Sequence, residues 1–149
     1  KEFKKLGDLI EIDRRLYQKG YQHWAIYVGD GYVLHLHGDS GTSCAKPGKD
    51  GRATVKKEKL EDVANNDEYR INNRLDNQYE PRPIKDILQD AENLVGREFP
   101  YNVLSSNCEH FATLVRYGNP LSQQVQFKYI TASVGNYRLT LARFTTVSL

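Results

Sequence analysis

The stretch from His23 to His37, HWAIYVGDGYVLHLH, decides how this chain folds. Two runs rich in β-branched and aromatic residues flank Gly29-Asp30-Gly31, the pattern of a hairpin closed by a glycine turn. In the first run Trp24, Ile26 and Val28 share one face, and His23, Ala25 and Tyr27 share the other. In the second, Tyr32, Leu34 and Leu36 lie opposite Val33, His35 and His37. Setting apolar face against apolar face requires Val28 to pair with Tyr32 across a three-residue loop, with Gly31 supplying a left-handed position. Ala25 then opposes His35, and His23 and His35 lie diagonally on one face, roughly 7–8 Å apart. A two-residue Asp30-Gly31 loop would separate the histidines onto opposite faces and bury one beneath an apolar sheet. His37 shares the histidine face near the strand end and is read as a bystander.

Outward from the hairpin, Leu9 to Ile12 reads as a strand after a Gly7-Asp8 turn. Gly38 to Gly51 reads as a mobile loop of Gly, Ser, Lys and Pro. Ala53 to Lys57 and Tyr69 to Asn73 are expected as further strands, separated by the polar run Glu61 to Glu68. Pro83-Ile84 opens a helix on which Ile84, Ile87, Leu88, Ala91 and Val95 recur at helical spacing, and Gly96 closes it. A second helix is expected from Asn107 to Tyr117, stopped by Gly118-Asn119-Pro120. No repeat or linker divides the chain, so residues 1–149 are read as one domain, with a core of about 6–118 and a tail of 119–149.

Hydrophobic residues at 39% and charged residues at 27% are a globular balance, which excludes disorder. Two cysteines, Cys44 and Cys108, are too few for a disulfide scaffold, so free thiols in a reducing, cytoplasmic setting are expected. There is no run long enough to span a bilayer. With no methionine and Lys1 at its start, the chain is expected to be a trimmed or processed piece. The net charge of +2 is uneven: six basic residues face two acids between Lys46 and Lys59, and no acid follows Glu109. These are solvated faces, or basic segments resting on an anionic surface such as a phospholipid headgroup layer. Nucleic acid is not expected, because aromatic residues do not interleave with a dense basic patch.

Cys108 sits in Ser106-Asn107-Cys108-Glu109-His110-Phe111. Ser106 and Glu109 have capping-box spacing, which places Cys108 in the first helical turn. Unpartnered backbone N–H groups and the positive end of the helix dipole there favour thiolate over thiol. Cys108, Phe111, Ala112 and Val115 share one face, so the sulfur is expected to point inward. His110 faces elsewhere and is read as a packed or surface residue. A thiolate needs a base, and the hairpin offers His23 and His35.

These stretches resemble the lecithin:retinol acyltransferase family, and within it the HRAS-like suppressor branch of phospholipase A/acyltransferases. The resemblance rests on Gly7 to Ile12, Tyr21 to Val33 with His35-Leu36, Tyr69 to Asn73, Leu94-Val95-Gly96, Asn107 to Phe111 and Arg116-Tyr117-Gly118. It implies an α+β, circularly permuted NlpC-type papain-like fold: an antiparallel sheet packed against helices, with the nucleophile at a helix N-terminus. It implies Cys108 as nucleophile, His23 as general base, His35 as its orienting partner, and Tyr21 with the Cys108 amide as oxyanion donors. The implied activity is cleavage of a glycerophospholipid ester through an acyl-thioester, followed by hydrolysis or transfer to an amine such as phosphatidylethanolamine. The implied setting is a peripheral membrane surface, with no metal and no cofactor.

Three features depart from the family pattern. Asp13 to Gly20 lengthens the loop before His23, Gly38 to Lys49 replaces a proline- and serine-rich loop, and the hydrophobic C-terminal anchor is missing or truncated. Picornaviral proteins with the same histidine-box and Asn-Cys motifs suggest an alternative, a catalytically idle module of this fold that binds a protein partner. A papain-like peptidase is a third reading.

Overall fold

The computed structural model describes residues 2–14, 21–38, 51–100 and 108–121. Strands β1 (Leu9–Arg14), β2 (Tyr21–Gly29), β3 (Tyr32–Gly38), β4 (Arg52–Lys59), β5 (Tyr69–Ile71) and β6 (Glu98–Pro100) form one sheet in the order β5-β1-β2-β3-β4-β6. Every neighbouring pair is antiparallel. Helices α1 (Leu60–Ala64), α2 (Ile84–Leu94) and α3 (Cys108–Tyr117) pack on it, and a short 3-10 turn spans Arg74–Asn77. The α+β architecture, an antiparallel sheet packed against helices, is the one expected. Of the expected loop Gly38 to Gly51, residues 39–50, and of the expected tail 119–149, residues 122–149, lie outside the described residues.

The hairpin keeps the expected pairing by a different route. Ile26↔Leu34 and Tyr27↔Val33 hold the register that joins the apolar faces, but the turn is the two-residue Asp30-Gly31 connection, with Gly29 opposite Tyr32. Asp30 and Gly31 both have positive φ, 53° and 82°, as a primed hairpin turn demands. An irregularity between Tyr27 and Gly29 inserts the extra residue that restores the histidines to one face. Gly29 has φ +98°, a backbone conformation that strains any residue with a side chain, which favours glycine there.

Alternation along the strands divides the core in two. One face carries Leu9, Trp24, Ile26, Leu34, Leu36, Ala53 and Val55 and is covered by α2 and α3, which add Ile87, Ala91, Leu94, Cys108, Phe111, Ala112 and Val115. The other carries Ile10, Ile12, Ala25 and Val33 and is covered by α1 through Leu60, Val63 and Ala64. The expected inward face of α3, Cys108, Phe111, Ala112 and Val115, is thus all core. On α2 the buried seam is Ile87, Ala91 and Leu94, whereas Ile84 and Val95 are exposed; the helix ends at Leu94, with Gly96 at positive φ just beyond. α1 occupies part of what read as a polar run, because Leu60 and Val63 suffice to seat one turn whose first amide bonds the Gly31 carbonyl (2.8 Å).

Arg116 anchors the far end of α3. It donates to the Gly7 carbonyl (2.7 Å) and with two nitrogens to Asp76 (3.1 and 2.6 Å), and the Tyr117 hydroxyl donates to the same carboxylate (2.6 Å). Fixing that end fixes where the helix starts.

A candidate thiol–imidazole site

Two strands deliver the histidines. β2 and β3 pair from the turn to Ile26↔Leu34; beyond it β2 continues against β1 to Arg14↔Tyr21, and β3 against β4 to Gly38↔Ala53. Among the described residues the ladder between β2 and β3 therefore stops where both strands still run on. His23 and His35 stand on either side of this parting. Their rings meet edge to face, centroids 5.1 Å apart, with His23 Nε2 2.9 Å from His35 Nδ1. The rings thus close the 7–8 Å diagonal expected from the register. Both are buried, His23 at 1% and His35 at 3% exposure.

A residue absent from the expected set completes the row. His35 Nε2 lies 2.5 Å from Glu58 Oε2 on β4. Burial pushes the His35 imidazole down to about 4; the Glu58 contact opposes this, and the neighbouring His23 adds to it. The same hydrogen bond holds the Glu58 carboxyl below its ordinary value. At neutral pH the pair is a neutral imidazole and a carboxylate. His37 stands edge-on to His35 at 6.0 Å, in keeping with its place on the same strand face. Glu58 escaped the sequence because the expected strand stopped at Lys57, and because no short turn fixes the β3–β4 register. The only trace was a lone acid in Lys56-Lys57-Glu58-Lys59.

Cys108 opens α3 and is buried. Its Sγ rests 3.8 Å from the carbonyl oxygen of Gln22, the residue before His23. The sulfur approaches β2 from the face covered by α2 and α3, whereas alternation directs the two rings to the face covered by α1. His110 is buried, and burial pushes its imidazole down to about 4 against a smaller pull from Cys108. It is packed, as read. Ser106, Asn107 and the capping box lie outside the described residues, as do Cys44 and the side chain of Tyr21.

Among the described residues no group of three or more His, Cys, Asp or Glu side chains is placed to hold a metal ion. No helix there is long and apolar enough to cross a membrane.

The chain is similar to proteins named as acyltransferases and phospholipases. The family model described as lecithin retinol acyltransferase matches residues 2–121. Phospholipase A and acyltransferase 3 of Homo sapiens is 48% identical over 140 residues, 91% of this chain and 84% of that protein. The human phospholipase A and acyltransferase 2 is 48% identical over 135 residues, covering 87% of this chain and 81% of its own length. Human phospholipase A and acyltransferase 1 is 44% identical over 138 residues, 87% of this chain and 80% of that one.

Proposed function

The chain belongs to the lecithin retinol acyltransferase family, and from that premise we propose that it is a thiol phospholipase A/acyltransferase acting on glycerophospholipid esters. The observation that supports this reading is the buried His23–His35 hydrogen bond on strands whose residue Gln22, next to His23, has its carbonyl 3.8 Å from the Cys108 sulfur at the start of a helix. Burying two hydrogen-bonded imidazoles costs desolvation, and a binding module gains nothing from it.

Cys108 is the nucleophile. His23 takes its proton, and His35 orients His23. The thiolate attacks the ester carbonyl, and the oxyanion that forms is met by the Cys108 amide at the positive end of α3 and by Tyr21. Collapse expels the lysophospholipid, protonated by His23, and leaves an acyl-thioester on Cys108. Water then releases a fatty acid; an amine such as phosphatidylethanolamine takes the acyl group to give an N-acyl lipid. The enzyme works from the surface of a phospholipid layer.

Incubation with phosphatidylcholine vesicles tests this. Fatty acid and lysolipid are expected from the native chain and not from Cys108→Ala. Release that survives the substitution would remove the thiol mechanism. No release from vesicles or from dispersed short-chain lipid would leave the phospholipase reading without support and favour a binding role.

A further inference from the structure

We propose that Glu58 is a positioning residue of this site: its carboxylate fixes the tautomer of His35 and, through it, that of His23, so that Nδ1 of His23 is the nitrogen that takes the thiol proton. The proposal deepens the thiol mechanism and rests on it.

The argument starts at the carboxylate. An ionised carboxylate only accepts hydrogen bonds, so His35 Nε2, 2.5 Å from Glu58 Oε2, carries a hydrogen. A neutral His35 then has its lone pair on Nδ1. His23 Nε2, 2.9 Å from that nitrogen, must donate to it. A neutral His23 with its hydrogen on Nε2 keeps its basic lone pair on Nδ1. Each assignment follows from the one before it. Without the carboxylate His35 is free to carry its hydrogen on Nδ1, which reverses the bond to His23. His23 then holds its hydrogen on Nδ1 and has no lone pair there to receive a proton.

Proton transfer preserves the row. The S–H bond of Cys108 breaks and an N–H bond forms at His23 Nδ1. The resulting imidazolium still donates to His35, and His35 still donates to Glu58. The carboxylate stays ionised and opposes the new positive charge. That proton leaves with the lysophospholipid oxygen when the tetrahedral intermediate collapses.

The surroundings suit this role. Glu58 also feels Lys56 and His37, both of which favour its ionised form. β1 faces His23 with Ile12, and α1 covers this side with Leu60, Val63 and Ala64, while its acids Glu61 and Asp62 are exposed. Among the described residues Glu58 is the acid seen hydrogen-bonded to His35. Its side chain is 40% exposed against 4% for His35, so the charge keeps contact with solvent while the ring does not.

Histidine ¹⁵N NMR at neutral pH and kinetics on the same variants test the proposal. Both His23 and His35 are expected as Nε2–H tautomers in the native chain. Glu58→Ala should populate the Nδ1–H form of both, lower kcat for lipid cleavage on the order of tenfold or more with KM little changed, and displace the pH profile of Cys108 alkylation. Glu58→Gln keeps an accepting oxygen and the same shape, so it should retain the native tautomers and recover part of the rate. Native tautomers and an unmoved pH profile in Glu58→Ala overturn the proposal. If the native chain cleaves no phospholipid, the functional reading fails separately, because tautomers and alkylation are read without any lipid.

Discussion

Two buried polar clusters can be set side by side. At the last turn of α3, Arg116 and Tyr117 converge on Asp76. On the sheet, His23 and His35 run out to Glu58. Both rows end on a carboxylate at similar exposure, 38% for Asp76 and 40% for Glu58. They differ in what stands behind it. Arg116 is permanently charged and donates along fixed directions, so its cluster can only hold α3 against Gly7 and the 3-10 turn. An imidazole has two tautomers and a proton it can gain or lose, so a row of them can handle a proton. A guanidinium makes a clamp; on the proposed mechanism the rings hold a base.

Exchanging losses between the clusters tests this contrast. The largest effect is expected from His23→Ala, which should cut lipid cleavage by at least about 10³-fold, in line with loss of a catalytic base. Steady-state release of fatty acid measures it, and activity within tenfold of the native chain would break the assignment. Next comes acid. His35 and His110 are held neutral at about 4, against an ordinary 6.5 when unfolded. The unfolded chain therefore binds more protons between these values, and stability should fall as pH drops from about 6.5 toward 4, by on the order of 3 kcal/mol for each ring. The depressed Glu58 carboxyl adds a loss only below its ordinary 4.5. Urea unfolding across this range reads the slope, and a flat profile would mean that the rings are not held neutral.

The smallest effect belongs to the clamp. Arg116→Leu removes the donor to the Gly7 carbonyl and leaves Asp76 with Tyr117 alone, and should cost about 2–3 kcal/mol in urea unfolding. Where the variant is still folded, alkylation of Cys108 should keep its native pH profile. A changed profile would show that the clamp reaches the chemistry as well as the scaffold.

The chain's local pattern determined most of what lies close together in sequence. Alternation from His23 to His37 put both histidines on one face, because only that register joins Trp24 and Ile26 to Leu34. Helical spacing gave α2 and α3, and the inward face of α3 could be read from Phe111, Ala112 and Val115. The turn was misjudged. Two loop residues and an irregularity in β2 do what three loop residues were expected to do, since alternation counts faces and does not show where an extra residue sits. Glu58, β6 and the Arg116 clamp came only from the tertiary structure. Each depends on pairing residues far apart along the chain, as with Asp76 and Arg116, or Glu98 and Thr54. Such pairings are set by how whole elements pack and leave no period in the sequence. A lone acid among lysines becomes a partner for His35 only once β4 is laid beside β3.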